Sequence, residues 1–216
     1  MKGPLTDRDR DRQNARRRRA WDKQAPKYDK QIGWFERHLF GEDNRQWACS
    51  RAEGDVLEVA VGTGLNLPFY PKNVRLTAFD LSPAMLEIAK QRAHDLGVPV
   101  ELRESDAHQL PFEDASFDAV VCTLSLCNIP DPAQAVSEMN RVLRPGGRIV
   151  LVDHIRSANK IVYAVQKLIE FFSVRIDGDY MTRRPSEQVR AQGFEIKEQE
   201  RFRFGGIVER LMAVKA

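Results

Sequence analysis

The chain has 216 residues, of which 42% are hydrophobic, and this is enough for one α/β domain with a substantial core. Its net charge is +3, but the first 20 residues hold eight basic and three acidic side chains, so the remaining residues carry a net charge of −2. Nucleic acid is therefore not favoured as a partner of the folded domain. The three cysteines lack metal-ligand and disulfide spacing, which predicts free thiols and no metal site. No apolar run reaches roughly 18 residues, so the sequence predicts a cytoplasmic protein.

Residues 1–20 form a basic leader that contains four consecutive arginines, Arg16 to Arg19. Its alternating charges predict a solvated, partly disordered segment or the exposed start of a helix. A sharper hypothesis is a contact between this leader and an anionic membrane, because each arginine near such a surface contributes about 1 kcal/mol. The protein would then be cytoplasmic with a peripheral membrane contact.

Residues 21–51 carry apolar and aromatic residues at largely helical spacings, interrupted by Pro26 and Gly33. We expect two short helices here, which precede the first strand and cover a ligand site as a lid. Residues 21–216 would form a single domain, and this lid would be its amino-terminal part.

A strand, a glycine loop and a second strand follow between Asp55 and Asp80. The stretch 56–61 is apolar apart from Glu58, as in a strand buried on both faces, and Gly62-Thr63-Gly64 comes at its carboxyl end. Glycine allows the backbone to turn sharply and to approach a ligand closely. Asp80 ends the second strand, where a carboxylate can accept both hydroxyls of a ribose. The pattern therefore predicts a nucleoside site.

Two classes of nucleoside compete for such a site. A dinucleotide needs a third glycine and a helix amino terminus directed at its pyrophosphate, but Leu65–Pro68 follow the glycines. Glu58 would repel a diphosphate, yet it could hold an ammonium group, directly or through water. A ribose joined to a cationic amino-acid end fits S-adenosylmethionine. The alternative is an ordinary strand-to-helix turn without a ligand.

The remaining elements alternate between helices and strands. Ser82 and Pro83 begin a helix that ends before Gly97. After the next strand, Asp106 could accept the adenine amino group and Ala107 could donate its N–H to the ring. The pattern predicts strands at 98–103, 119–124 and 149–153, helices at 132–143, 158–174 and 185–192, and an antiparallel hairpin at 194–214. The fold class is α/β, a doubly wound seven-stranded sheet, mostly parallel, with a carboxyl-terminal antiparallel hairpin.

The helix predicted at 158–174 is strongly apolar on a broad face. Such a face usually belongs to the core. In this position it could also form the wall of an apolar substrate pocket.

Four motifs occur in fixed order, namely LEVAVGTG, AFDLSP, ESDAHQLPFEDASFDAVVC and VLRPGGRIVLVDH. As a set they resemble class I S-adenosylmethionine-dependent methyltransferases over about residues 21–154, and specifically the subset that includes ubiquinone and menaquinone methyltransferases. A narrower likeness extends further. The stretch VVCTLSLCNI, the pair Asp153-His154 and DGDYMTR at 177–183 resemble the alkyl thiol methyltransferases.

The resemblance implies which residues contact the cofactor. The segment Trp21-x-x-x-Ala25-x-x-Tyr28-Asp29 looks like one that precedes the glycine loop in many small-molecule methyltransferases, where the tyrosine lies beside the cofactor. An aromatic residue that only packs the lid is the alternative for Tyr28. The residues predicted to bind S-adenosylmethionine are Tyr28, Glu58, Ala60, Gly62, Gly64, Asn66, Asp80, Leu81, Met85, Asp106, Ala107, Thr123 and Leu124.

Methyl transfer from a sulfonium is an in-line displacement, so the protein must align the acceptor, exclude water and, for a hydroxyl or thiol, accept a proton. His154 is the leading candidate for this base because it follows the fifth strand, and a purely structural role is the equal alternative. Tyr28, Asp177 and Asp179 are weaker candidates. His108 is expected to touch the cofactor or solvent.

The sequence therefore predicts a methyltransferase that uses S-adenosylmethionine and acts on a small, apolar or amphipathic acceptor. Phospholipid amines, thiols and quinone-like phenols are the acceptor classes that stay open. The alternative from another functional class is a regulatory or scaffold protein that binds S-adenosylmethionine without turnover.

Overall fold

The computed structural model describes residues 7–176 and 178–216. Its helices are α1 (Asp7–Phe35), α2 (Asn44–Cys49), α3 (Pro83–Leu96), α4 (Pro132–Val142), α5 (Lys160–Ile176) and α6 (Pro185–Ala191). Its strands are β1 (Asp55–Val59), β2 (Arg75–Asp80), β3 (Val100–Glu104), β4 (Phe117–Thr123), β5 (Leu143–His154), β6 (Glu195–Phe202) and β7 (Val208–Val214). A π-helical turn, Glu36–Phe40, follows α1, and a 3₁₀ turn, Leu67–Phe69, follows the glycine loop.

The strands form one seven-stranded sheet in the order β3-β2-β1-β4-β5-β7-β6. The first five strands are parallel, whereas β7 runs antiparallel to both β5 and β6. The direction of winding reverses between β1 and β4, and the carboxyl ends of such neighbouring strands leave a crevice at the edge of the sheet. The predicted fold class, including the antiparallel hairpin, is confirmed.

Local sequence explains where α3 and α4 begin. The Ser82 side chain accepts a hydrogen bond from the Met85 N–H at the start of α3, and Gly97 closes this helix with a φ of 62°. Asp131 caps α4 in the same way, by accepting from the Gln134 N–H. These caps fix both helices relative to the strand ends that precede them.

Strand β5 is longer than the sequence predicted. A tight turn was expected before a strand at 149–153, whereas β5 already begins at Leu143. Its pairing with β4 jumps from Leu143 to Arg148, so the turn residues 144–147 form a bulge within the strand. The other strands lie close to their predicted positions.

The amino-terminal segment departs most from the prediction. Residues 7–35 form one continuous helix with Pro26 in its interior, where we expected a separate leader followed by two short helices. The described part of the leader takes the second form predicted for it, the start of a helix. Residues 1–6 lie outside the described part of the chain.

Contacts on both sides of Pro26 explain why the helix does not break there. Asp22 accepts a hydrogen bond from the Ser82 hydroxyl at 2.6 Å, and Asp29 accepts one from the Thr63 hydroxyl at 2.6 Å. These bonds tie the helix to the body before and after the proline. They keep the helix continuous despite the backbone hydrogen bond that proline cannot make.

Buried apolar side chains cover both faces of the sheet. Leu57 and Val59 pack with Met139 of α4 on one face, and Val56 packs with Ala48 of α2 on the other. Successive residues of a strand point to opposite faces, so Glu58 shares the face of Val56. The three cysteines are buried free thiols, as the sequence predicts.

Helix α5 does not turn its apolar face to the core. Ile161 is 77% exposed, Leu168 63% and Phe172 56%, whereas Gln166 and Glu170 are buried. The expectation that this face belongs to the core is therefore wrong. In the part of the chain that the structure describes, we find no helix with the length and apolar content that crossing a bilayer requires.

Candidate active site

An open cleft lies at the carboxyl ends of the central parallel strands, with α1 as one wall. Its empty volume is about 700 Å³ when the open mouth is included. Nine residues predicted to bind the cofactor line this cleft, namely Tyr28, Ala60, Gly62, Asp80, Leu81, Met85, Asp106, Ala107 and Leu124. The structure does not bring Glu58, Gly64, Asn66, Thr123 or His154 to the cleft wall.

Asp80 occupies the position predicted for the carboxylate that binds ribose. It is 8% exposed at the end of β2. Its Oδ2 accepts a hydrogen bond of 2.8 Å from the Gly62 N–H, and its Oδ1 accepts one of 2.9 Å from the Ser82 N–H. Burial raises the pKa of Asp80 to about 6, against the lowering effect of these backbone donors. The two loops that flank the cleft thus hold the carboxylate in a fixed orientation.

The two glycines of the loop have different roles. Gly62 has a φ of 56°, and a Cβ there would face only the Tyr28 ring at 3.8 Å. Gly64 has a φ of 81°, and a Cβ there would lie 2.8 Å from Leu67 Cδ1 and 3.3 Å from Ala89. Gly62 therefore keeps the cleft open, whereas Gly64 lets the loop pack closely against α3.

Asp106 lines the cleft after β3, but its oxygens are already hydrogen-bonded. Oδ1 accepts from the His108 N–H at 2.9 Å and lies 2.6 Å from His108 Nδ1, and Oδ2 accepts from Asn14 at 2.6 Å. Burial acts to raise the pKa of Asp106, but the hydrogen bonds from the His108 side chain and N–H outweigh it and lower this pKa. Because His108 Nε2 accepts from the Asp131 N–H at 3.1 Å, its ring proton is assigned to Nδ1.

The sequence analysis missed part of the cleft wall that α1 provides. Asn14, Arg17 and Trp21 line the cleft together with Tyr28. These four residues recur at i, i+3, i+7 and i+14, so they lie on one face of a helix. That spacing was present in the sequence, and it would have been visible if the arginine run had been treated as part of the lid helix.

Side chains on the same face fasten α1 over the cleft. Beside the bond between Asp22 and Ser82, Asp29 forms an ion pair with Arg92 of α3 and accepts from Thr63. Arg92 also donates a bond of 2.6 Å to the Thr63 carbonyl. The lid is thereby joined to the glycine loop and to the first turn of α3.

Glu58 lies behind the glycine loop, with 2% of its surface exposed. Its Oε1 accepts a hydrogen bond of 2.8 Å from Asn66 Nδ2, which also donates to the Thr123 hydroxyl at 2.9 Å. Arg45 donates to Asn66 Oδ1 at 2.9 Å. Burial raises the pKa of Glu58 to about 7, although the hydrogen bond from Asn66 lowers it. Glu58, Asn66 and Thr123 thus form a buried network that supports the loop from behind.

His154 is ion-paired and buried at the end of β5. Its Nε2 lies 3.2 Å from Asp179 Oδ1 and 4.0 Å from Asp153 Oδ1, and its ring stacks on Phe40 at 5.8 Å. Burial acts to lower the pKa of His154, but the two carboxylates outweigh this effect and raise the pKa to about 9. A histidine that is protonated at neutral pH has no free site for a further proton, so these contacts favour the structural alternative for His154, and its role as a base stays a prediction.

Tyr28 and Asp179, the other candidates among the described residues, lie in surroundings that do not favour a base. Tyr28 lines the cleft and meets Trp21 edge-on at 5.9 Å, but burial raises the pKa of its phenol to about 12. Its hydroxyl therefore stays protonated at neutral pH and does not supply a phenolate base. The carboxylate of Asp179 is ion-paired with the protonated ring of His154. Asp177 lies outside the described residues.

Cys127, His154 and Asp179 each present one possible metal ligand, and these atoms lie within 4.8 Å of one another. The His154 Nε2 is already engaged with Asp179. Burial raises the pKa of the Cys127 thiol well above its usual range, so it stays protonated. The arrangement is a hydrogen-bonded polar cluster, and Asp153 completes it by accepting from the Cys127 N–H at 2.9 Å.

The strand order reverses between β1 and β4, Asp80 ends β2 at the cleft, and β7 is antiparallel. These features together define the class I methyltransferase fold, with a cleft of the kind that holds a nucleoside. The comparisons agree with this class. A family model described as "Methyltransferase domain" matches residues 57–151. A solved structure from Thermotoga maritima, a possible histamine N-methyltransferase, has a TM-score of 0.69 at 21% identity and covers 91% of this chain and 100% of its own.

Curated relatives identify the family. A demethylmenaquinone methyltransferase of Thermus thermophilus is 35% identical over 172 residues, 72% of this chain and 76% of the relative. A phosphatidylethanolamine N-methyltransferase of Cereibacter sphaeroides is 44% identical over 121 residues, 55% of this chain and 60% of the relative. A human thiol S-methyltransferase is 34% identical over 133 residues, 59% of this chain and 53% of the relative. The chain belongs to the class I S-adenosylmethionine-dependent methyltransferases, and it matches only three fifths of the Cereibacter protein's length.

The cleft fits the cofactor of this family. Asp80 presents a fixed carboxylate, and the open space above Gly62 is one that a Cβ would fill. Leu81, Met85 and Ala107 supply apolar and backbone surface beside them. These residues would hold the sugar and base of S-adenosylmethionine, whereas Glu58 reaches the site only from behind the loop.

Proposed function

We propose that this protein transfers a methyl group from S-adenosylmethionine to an amphipathic acceptor, namely the amine of a phospholipid headgroup. The relative named phosphatidylethanolamine N-methyltransferase has the highest identity among the relatives described above. The observation that carries the proposal lies on the acceptor side of the cleft, where no described side chain is free to act as a base.

The acceptor side of the cleft is formed by the loop after β4. Leu124, Ile129 and Pro130 give it apolar surface, and Ser125 and Asn128 add polar groups. Leu124 has a φ of 51°, which turns the backbone at the end of the strand toward the cleft. This mixed surface suits a molecule with a small polar end and an apolar body.

The cofactor supplies a methyl group that is already activated by its positive sulfur. The chain itself has to align the acceptor and exclude water, and α1 covers the cleft for this purpose. His154 is charged, Tyr28 keeps its proton, and His108 Nε2 is occupied by the Asp131 N–H. An amine attacks in its neutral form after its ammonium has lost a proton to solvent, and the methylated product leaves as an ammonium, so the transfer itself needs no base from the protein. A phenol that binds with its proton does need one.

A thiol is the second candidate, because a thiolate also reacts without a base from the protein. A specific observation supports it. The two segments of the narrower likeness, Asp153-His154 and the stretch around Asp179, meet in space through the 3.2 Å contact between His154 and Asp179. The 34% identity to the thiol S-methyltransferase points in the same direction.

A transfer assay tests both candidates. The full chain is incubated with tritiated S-adenosylmethionine and, in separate reactions, phosphatidylethanolamine vesicles, an alkyl thiol and a quinone-like phenol. We expect label in the phospholipid, and much less with the Asp80→Asn variant at the same concentration of S-adenosylmethionine. Label in the thiol alone would replace the first candidate by the second. Calorimetric binding of S-adenosylhomocysteine without transfer to any acceptor would instead indicate a binding protein without turnover.

A further inference from the structure

Helix α5 carries a stripe of apolar side chains that face away from the protein. Ile161, Val165, Leu168 and Phe172 are separated by four, three and four residues and are all more than half exposed. This spacing places them along one line of the helix surface. An unbroken apolar stripe on a surface helix is a binding surface and not an ordinary solvent face.

The orientation of α5 is fixed by hydrogen bonds from its polar side. Gln166 Nε2 donates to the Ile155 carbonyl at 2.8 Å, and Gln166 Oε1 accepts from the Ser157 N–H at 2.8 Å. Glu170 Oε2 accepts from the Thr182 N–H and hydroxyl at 2.8 and 2.7 Å. The polar residues therefore point inward because they satisfy backbone groups of the body, and the apolar stripe is held outward.

The charges that α5 exposes indicate what covers the stripe. Lys160, Lys167 and Arg175 are exposed and follow at i, i+7 and i+15, which places them along one edge of the stripe. The acidic residue of the helix, Glu170, is buried and paired with Lys167 at 2.7 Å. Every charged side chain that α5 exposes is thus basic, which complements an anionic surface.

We propose that α5 docks this protein on an anionic phospholipid bilayer, with its apolar stripe inserted into the headgroup region and its basic edge at the lipid phosphates. A helix with a large apolar face and a basic polar edge lies in the plane of a membrane in this way. The exposed Phe204 extends the surface, because its carbonyl accepts a bond of 3.0 Å from Ser157, which precedes α5.

The segment that follows α5 connects this surface with the cleft. Asp179 approaches Asn128, a residue of the cleft wall, at 3.5 Å, and the Gly178 carbonyl accepts a bond of 3.2 Å from Arg17 of the lid. Docking through α5 would therefore bring the cleft close to the bilayer. The proposal concerns membrane binding and does not depend on which acceptor is methylated.

Co-sedimentation with vesicles tests this surface without an activity measurement. The full chain is mixed with vesicles of phosphatidylcholine and phosphatidylglycerol, or of phosphatidylcholine alone. The test variant is Ile161→Ser/Leu168→Ser/Phe172→Ser, and because these side chains are exposed its melting temperature should match the wild type. We expect its binding to the anionic vesicles to fall at least about tenfold. The variant Lys160→Glu/Arg175→Glu should lose most of the preference for anionic over neutral vesicles.

Matched controls use α3, which packs against α1 and β3. Leu96 is 47% exposed and Lys90 is exposed, so Leu96→Ser and Lys90→Glu repeat the same changes away from the proposed surface. They should bind as the wild type does. Failure of the wild type to bind anionic vesicles, equal binding to neutral vesicles, or equal losses in the controls would overturn the proposal. So would a wild-type dimer that the triple variant converts to a monomer, since the stripe would then be a subunit interface.

Discussion

The Asn14 amide donates a hydrogen bond of 2.6 Å to Oδ2 of Asp106, a residue 92 positions away in the chain. One partner belongs to the arginine-rich start of α1, and the other follows β3 at the cleft. The segment that its composition predicts to be a leader therefore forms part of the cleft wall. The lid is closed by this bond in addition to the contacts of Asp22 and Asp29.

Replacing Asn14 by aspartate should open the lid. Two carboxylates would face each other at the distance now occupied by the hydrogen bond, and loss of such a bond with repulsion costs on the order of 1–3 kcal/mol. We expect the Kd for S-adenosylhomocysteine to rise about tenfold and α1 to be cleaved faster in limited proteolysis. The control Ala15→Asp adds the same charge at an exposed position of α1 and should change neither readout. Equal effects of both variants would show that the added negative charge on α1, and not the loss of the contact with Asp106, opens the lid.

Asp80→Asn should weaken cofactor binding more than any other isosteric change at the cleft. The amide keeps the shape but loses the charged acceptor, and a hydrogen bond to a charged group contributes about 1.5–3 kcal/mol. We expect a 10- to 150-fold rise in the Kd for S-adenosylhomocysteine, as an order-of-magnitude range by calorimetry. Glu101→Gln, an exposed change of the same kind on β3, serves as the control. Unchanged affinity in Asp80→Asn would remove Asp80 from the binding site.

Cofactor affinity should also fall at acid pH. The pKa of Asp80 is raised to about 6, so its carboxylate takes up a proton as the pH drops through this value and can no longer accept both ribose hydroxyls. Calorimetric titration with S-adenosylhomocysteine from pH 5 to 8 should show a constant Kd above pH 7 and a rising Kd below pH 6. The Asp80→Asn variant should lack this dependence. An equally steep loss of affinity in the variant would assign the titration to another group.

The position of Asp80 could be predicted from the sequence because it depends on local features. A buried strand, two glycines and the next strand place a carboxylate at the sheet edge whatever the rest of the chain does. The position of Glu58 could not be predicted in this way. Its side chain points to the face of Val56, where Arg45 and Asn66 from other elements enclose it. The hydrophobic periodicity of a sequence does not show which residues from other elements surround the end of a strand.

The two largest errors concern helices, and they have the same origin. Pro26 favoured a break in α1, but contacts with Ser82 and Thr63 on either side hold the helix together. The apolar pattern correctly predicted α5, whose outward orientation depends on backbone groups that Gln166 and Glu170 reach in the folded protein. Sequence periodicity defines the faces of a helix, whereas the tertiary contacts decide which face is buried.

The ion pair of His154 should make stability depend on alkaline pH. The pKa of His154 is about 9 in the folded protein, above its usual value of 6.5, so the pair stabilises fully below pH 6.5 and this contribution is lost as the pH rises through 9. Melting temperatures of the wild type and His154→Gln should therefore differ most near pH 6 and converge near pH 10. His94→Gln, the same change at an exposed histidine, is the control for replacing an imidazole by an amide. A constant gap between His154→Gln and the wild type would contradict the ion pair as its cause.

Glu58→Gln should stabilise the protein increasingly as the pH rises. Burial raises the pKa of Glu58 from 4.5 to about 7, so ionisation of the folded form costs free energy that the unfolded chain does not pay. The penalty grows from pH 4.5 and is complete above pH 7, because the unfolded chain releases its proton first. Glutamine keeps the oxygen that accepts from Asn66 and carries no charge. Urea unfolding should show a gain on the order of 1–3 kcal/mol at pH 8 and little change at pH 5. Glu101→Gln, at an exposed position of β3, is the control for the loss of a carboxylate in solvent. If the free energies of unfolding of wild type and Glu58→Gln changed in parallel with pH, Glu58 would not be desolvated behind the glycine loop.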